Sequence, residues 1–281
     1  MTSLISSSSA ATRPPASLVA LARSLWQYRH LLRQLVLRDV VGRYRGSLVG
    51  ILWSLLLPCI MLAVYLFVFG HVFAPVRTAG QAITPGFALS LFSGMLLHGL
   101  VAECLARAPS SILAQPSYVK KVVFPIELLP LTVVGTAIAQ FMMGSAVLLL
   151  ALAVTQGLPA TALFWPMAWL PLIALATGLS LMLAALTVYL RDLAQITGFI
   201  ATVLLFLSPV FYPLDSVSVP LRHWMLLNPL TVPIETSRAL LIQGRRPDLM
   251  LWGWHSLACL AALGLGWWIF QRTRRGFSDV I

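Results

Sequence analysis

Charge is what this sequence lacks. Only 10% of its 281 residues are Asp, Glu, Lys or Arg, against roughly a quarter in ordinary soluble domains, which excludes a surface that water could wet. Cysteine is rare as well. Cys59, Cys104 and Cys259 lie far apart within apolar stretches, which excludes a paired disulfide framework and metal-ligand spacing and leaves them as small packing residues. A Walker-type phosphate loop, HExxH, GxSxG and CxxC are all missing, so the chain has no recognisable means of binding ATP or running covalent chemistry. No catalytic residue, resident cofactor or metal is expected. The Ser-rich start before Pro14 lacks the basic-then-apolar order of a secretory leader, so no cleavable signal is expected either.

What the sequence does have is grease in long runs. Hydrophobic residues make up 59% of it, and uncharged stretches of ~20 residues or more recur, each long enough to cross a ~30 Å hydrocarbon core as a helix. The expected fold is an all-α integral membrane protein with about six transmembrane helices. The spans fall at 48–73, 85–106, 126–155, 166–190, 193–212 and 249–270. Around them, 1–16 reads as a disordered start, 17–45 as an amphipathic helix at the membrane surface, and 46–281 as the six-helix transmembrane domain.

A net charge of +11 would suit nucleic acid if it formed one patch, but the cations are distributed by side. With both termini inside, Arg13, Arg23, Arg29, Arg33, Arg38, Arg43 and Arg45 precede the first span on the cytoplasmic face. Arg107, Lys120, Lys121, Arg191, Arg272, Arg274 and Arg275 join them there. This is the asymmetry of the positive-inside rule. The cations orient a multi-pass chain in a membrane, and nucleic acid is not a partner.

In 17–45, Leu18, Leu21, Leu25, Tyr28, Leu32, Leu35 and Val36 line one helix face while Arg23, Gln27, His30, Arg33 and Arg38 line the other. That is the pattern of an interfacial amphipathic helix. Gly42, Gly46 and Gly50 follow at four-residue spacing, which serves either a bend or a close helix contact. After the second span, Pro109 to Pro125 brackets a short basic loop in which Ser110 or Ser111 is placed to cap a brief helix. The loop is either a grip for a partner or an ordinary turn. Between 215 and 243 lie two short helical pieces, each with Pro in its first turn, at Pro220 and Pro233. Asn228 or Thr231 is placed to cap the second piece. This segment is expected to dip into the membrane and return as an outer gate, with Trp224, Asn228, Pro229, Glu235 and Arg238 as its candidate residues.

Titratable groups inside the spans are few. Glu103 stands at i, i+4 from Arg107, and a structural ion pair is favoured there over a transport role. Glu127 sits near the cytoplasmic end of its span. His98 alone lies nearer mid-span, and a hydrogen-bonded packing role is favoured over a proton relay. Aromatic surface is more plentiful. Tyr65, Phe69 and Phe73 repeat every four residues along the first span, and Phe199 and Phe206 share a face of the fifth, ending beside Phe211 and Tyr212. These seven are channel candidates, because aromatic faces suit the C–H faces of sugars. Core packing is the commoner use of such stripes.

The stretch 38–73, RDVVGRYRGSLVGILWSLLLPCIMLAVYLFVFGHVF, resembles the start of the ABC-2 type permeases that export polysaccharides and polyol phosphates, including the O-antigen and teichoic acid exporters. YVKKVVFPIELLPL after the second span, the turn at Tyr189, Leu190, Arg191 and Asp192, and NPLTVPIETSRALL before the last span are similar to family landmarks in family order. The resemblance covers nearly the whole chain except the Ser-rich start, and it specifies no single glycan. It implies a homodimer in the bacterial inner membrane with a channel along the dimer axis. It further implies two copies of a separate ATP-binding subunit that hold ATP and Mg, and lipid-linked polysaccharide as substrate. In such exporters the amphipathic helix and the loop after the second span meet the ATPase, here 18–44 and 110–122. The corresponding contact candidates are Arg38, Arg43, Tyr44, Arg45, Ser110, Ser111, Gln115, Lys120 and Lys121. The alternatives are an ABC-2 permease for drugs or small lipids, or a membrane scaffold or glycosyltransferase. The last needs acidic clusters on the inner loops, which carry almost none.

Overall fold

The structure, a computed structural model, describes residues 17–69, 85–119 and 124–280. The described residues form helices and turns without a strand. Helices satisfy their own backbone hydrogen bonds, which is what a lipid environment demands. Among the described residues, five helical stretches are long and apolar enough to cross a membrane: Gly50–Phe67, Gly86–Arg107, Leu128–Thr155, Ala160–Thr187 and Leu249–Gly276. They contain α3 (Trp53–Phe67), α4 (Pro85–Arg107), α6 (Leu128–Thr155), α7 (Pro166–Thr187) and α11 (Leu249–Thr273). The fifth expected span, 193–212, is shorter than expected. Its helix α8 (Leu193–Phe206) has 14 residues, about 21 Å at 1.5 Å per residue. Pro209 explains the stop, because the residue before a proline is pushed out of the helical region. Ser208 then donates its hydroxyl back to Leu204 O, and the chain turns.

Helix α4 is the axis of the bundle, packed against α3, α6, α7, α8 and α10 (Thr231–Leu241). It is apolar on all sides, as a helix surrounded by others must be, and Leu89, Leu97 and Val101 are fully enclosed. The most extensive helix pair is α7 with α11. A Cβ on Gly266 would lie 2.0 Å from Gly178 O, so these two backbones touch where the glycines meet.

The amphipathic stretch is two helices, α1 (Leu18–Gln27) and α2 (Arg29–Gly42), broken at Tyr28. Ser17 starts α1 by accepting from Ala20 N. Leu21 and Leu35 are buried, with Leu25, Tyr28 and Leu32 packed beside them on Leu128, Trp267 and Phe270. Val36 presses on α6 at Gly135. Gly46 and Gly50 adopt left-handed φ of 84° and 58°, and nothing approaches their Cβ positions. Of the two uses open to them, they serve the bend into α3.

These terminal helices gather with the ends of α4 and α11 and the start of α6 at one end of the bundle, the basic end. At the other end α9 (Val219–Leu226) leads into α10, which is held among α4, α7 and α11. The expected disordered start, 1–16, lies outside the described residues.

Candidate coupling and translocation sites

Four charges and a hydroxyl from three helices converge at the basic end. Arg107, in the last turn of α4, places Nη2 at 2.9 and 3.0 Å from the two carboxylate oxygens of Asp39 on α2. Its Nη1 donates to Glu103 at 3.1 Å, the i, i+4 pair of the sequence. Glu103 also accepts from Arg43, the residue that follows α2. Thr136 of α6 donates to Asp39 at 2.9 Å. Two cations balance two anions, and every member is shared between helices. The side chains are 22–35% exposed, so water screens the network only partly. Its mechanical effect is to tie α2 to α4 and α6.

Beside it lies a cavity of about 410 Å³ lined by Arg38, Arg43, Arg107, Ser110, Ser111 and Gln115. Five of the expected ATPase contacts are thereby brought together around one recess. Arg43 is committed inward to Glu103, and Arg38 reaches the Tyr118 hydroxyl at 3.5 Å. Ser110 and Ser111 do not cap a helix: their hydroxyls donate to Arg107 O, at the end of α4, and to Ala108 O just after it. A single short turn, α5 (Pro116–Val119), follows. Tyr44 and Arg45 sit in the turn toward α3, and Tyr44 borders a second cavity. Lys120 and Lys121 lie outside the described residues.

That second cavity, about 600 Å³, opens between α3, α4 and α6, with Tyr65, Phe92 and Phe141 along its walls and Glu103 and Gln140 among its polar groups. Tyr65 packs on Phe92 at 6.3 Å and Phe69 on Phe87 at 5.6 Å between ring centres. On α8 the rings stand outward, with Phe199 70% and Phe206 63% exposed. Phe206 stacks on Phe211 at 6.2 Å, and Tyr212 donates to Phe206 O at 3.1 Å. The channel candidates thus form two surfaces, on α3 and on α8, joined by α4 between them. Phe73 lies outside the described residues.

The outer candidates, Trp224 excepted, form a third cluster. Arg238 is 8% exposed. It donates to Ser90 Oγ of α4 at 2.8 Å, to Pro209 O after α8 at 2.9 Å and to Glu235. Glu235 accepts Leu214 N. Asn228 accepts Leu230 N at 2.9 Å and donates to Ser208 Oγ at 3.0 Å, which fixes the turn at Pro229 that starts α10. Trp224 is 72% exposed and stands apart.

A family model described as the ABC-2 type transporter matches residues 30–242, most of the chain. The chain belongs to this family. An O-antigen export system permease protein of Myxococcus xanthus is 32% identical over 273 residues, covering 94% of this chain and 100% of that one. A like-named protein of Klebsiella pneumoniae is 27% identical over 95 residues, 34% of each chain. The ABC-2 match runs from the start of α2 past the end of α10, so it includes both the Asp39–Arg107 network and the Arg238 cluster.

Sequence reasoning found Glu103, Arg107, Asn228, Glu235 and Arg238 but missed Asp39, Thr136 and Ser90. Asp39 had one signal: it is the only acidic residue before Glu103. His98 Nε2 donates to Ala201 O, 2.9 Å away on α8. Since a carbonyl only accepts, the Nε2 proton is on that side, and this is the packing arrangement favoured from sequence.

Proposed function

We propose that the chain is the membrane subunit of an ATP-driven exporter that moves lipid-linked polysaccharide across the bacterial inner membrane. The observation that carries this reading is the end-to-end similarity to the Myxococcus xanthus O-antigen export permease. The chain works as a homodimer with both termini cytoplasmic, and two separate ATPase subunits supply ATP and Mg. The basic end then faces the cytoplasm, in keeping with the positive-inside rule.

The geometry suggests how force would travel. An ATPase element seated in the recess beside Arg38 and Gln115 presses on α2 and on the end of α4. Asp39 and Arg107 make those two helices move together. The far end of α4 holds Arg238 through Ser90, some 17 residues and so about 25 Å away. A push at the basic end therefore reaches the outer segment through one helix. The aromatic faces of α3 and α8 are suited to the polymer, since ring stacking on sugars is weak at each contact and permits sliding.

The test is deletion and complementation in the native host. Loss of the gene should leave lipid-linked polymer accumulating inside, with none at the surface, and the chain should co-purify with an ATPase encoded beside it. Normal surface polymer in the deletion strain sinks the proposal, and loss of drug efflux in its place would favour a small-molecule permease.

A further inference from the structure

The groove between α3, α4 and α6 is polar at one end and apolar over the rest of its length. Glu103 of α4 and Gln140 of α6 each stand one helical turn inward from Arg107 and Thr136, the two residues that hold Asp39. They line the basic end of the groove, with Ser54 at the start of α3 and Tyr44 in the turn before it. Beyond them the walls are Leu57, Pro58, Met61, Met95 and Leu96, and the packed rings of Tyr65 and Phe92 lie at the far end. Glu103 and Phe92 are 11 residues apart on α4, as are Ser54 and Tyr65 on α3, so the groove runs for about 16 Å. That is about half of a ~30 Å hydrocarbon core, or one leaflet.

The groove is open along its side. Leu57 and Met61 border it while 44% and 49% exposed. Gly99 lies midway along the α4 wall and is exposed, on a helix that is otherwise mostly enclosed. A Cβ there would meet nothing within 4 Å, and its backbone is helical, so neither a turn nor a close contact requires glycine. The missing side chain leaves room in the groove. Apolar space stays dry, so at this depth in a membrane hydrocarbon fills it.

The polar end selects what the hydrocarbon is attached to. Glu103 is neutralised by Arg43 and Arg107, and Ser54 donates to Ile51 O. The Gln140 carboxamide and the Tyr44 hydroxyl hydrogen-bond to no other described residue, and both can donate to an oxygen that only accepts. Sugars match the groove poorly, since beyond Gln140 the Tyr65 hydroxyl is the one hydroxyl or amide side-chain group lining it. A long polyprenyl chain outruns a slot one leaflet deep. We propose that the groove holds one acyl chain of a bilayer phospholipid, from the leaflet around the basic end, with its ester oxygens accepting from Gln140 and Tyr44. The chain props α3 away from α4 and α6, directly above the Asp39–Arg107 network.

The experiment uses the full chain in nanodiscs of phosphatidylethanolamine and phosphatidylglycerol, doped with phosphatidylcholine that carries a diazirine halfway along one acyl chain. Photolysis adducts are then mapped by mass spectrometry. They should concentrate on Met61, Met95 and Leu96. Gly99→Leu fills the slot and should reduce them at least tenfold, while adducts on Leu257 and Leu260, exposed or bordering lipid on α11, stay level and report an intact fold. Gln140→Leu should lower groove labelling about fivefold, the scale of one hydrogen bond, and decides alone if Gly99→Leu disturbs α11 as well. Groove labelling no stronger than that of α11 in the unaltered chain overturns the proposal, as does labelling that survives both substitutions. Displacement of the label by an equimolar polyprenyl phosphate overturns it in favour of a carrier chain. Disulfide-linked dimers through Gly99→Cys, with Cys59, Cys104 and Cys259 replaced by Ala, overturn it in favour of a second copy. Neither the ATPase nor the polymer enters this assay, so its failure is separate from failure of the export reading.

Discussion

Removing Arg107 should uncouple the amphipathic helices from the bundle. Arg107→Ala deletes three charge-assisted contacts, two to Asp39 and one to Glu103. At roughly one-third exposure each lies between the ~0.5 kcal/mol of a solvated pair and the ~3 kcal/mol of a buried one, so the total loss is about 2–3 kcal/mol. Asp39 keeps Thr136 and a distant Arg43 at 3.9 Å, and the network is left with one excess negative charge. Because Asp39→Ala removes the same two contacts from the other side, the pair should not add. Equilibrium unfolding of the purified chain should give a coupling energy of about 1–2 kcal/mol in the double-mutant cycle. In membrane vesicles carrying the ATPase, both variants should hydrolyse ATP while exporting less polymer per ATP. Additivity of the two substitutions to within ~0.5 kcal/mol, or unchanged export per ATP, refutes the idea that this network transmits force.

The outer cluster tests geometry separately from charge: Arg238→Lys keeps the cation but loses the fork that reaches Ser90 and Pro209 O at once, and should cost about 2 kcal/mol in the same unfolding assay. A variant as stable as the parent would show that only the charge matters. Phe199→Ala, at an exposed ring, should change stability by less than ~0.5 kcal/mol while reducing export, and an equal loss of stability would mark Phe199 as a packing residue. Gly266→Ala forces a methyl group onto Gly178 O, 2.0 Å from its Cβ position, and should destabilise by ~3 kcal/mol or more. Normal yield and melting temperature would contradict the close approach of α7 and α11.

The parts of this molecule legible from sequence are those written locally. Apolar length announced the long helices, and Glu103 with Arg107 was visible because one turn of helix separates them. Asp39 meets Arg107 across 68 positions of chain, and no spacing rule connects residues so far apart. Gly178 and Gly266 were silent for the same reason, since each is an ordinary small residue until its opposite number is known. Helix α8 was read too long because the run through Leu207, Val210, Phe211 and Tyr212 stays apolar. The turn depends on Ser208 and Pro209, two residues whose effect on the backbone outweighs the hydropathy around them. Sequence left the glycines at 42, 46 and 50 between two uses, and only the backbone angles of Gly46 and Gly50 separated them.

Polar ties leave α4 at three places along its length, and each reaches a different helix. Arg107 and Glu103 hold α2, Ser90 holds Arg238 of α10, and His98 midway holds Ala201 O of α8. Between these ties the helix is mostly apolar and packed without directional bonds, so a displacement of α4 would be delivered where the hydrogen bonds are. His98 is then the link by which α8 and its outward Phe199 follow the axis. His98→Leu keeps the bulk and removes the bond, leaving the backbone carbonyl of Ala201 without that donor, and should cost about 1–2 kcal/mol of stability. His98→Gln, which offers an N–H and no titratable proton, should restore both stability and export if the bond is the function. Export lost in His98→Gln at full stability would mean that the imidazole carries protons, and α8 would have to be moved by some other contact.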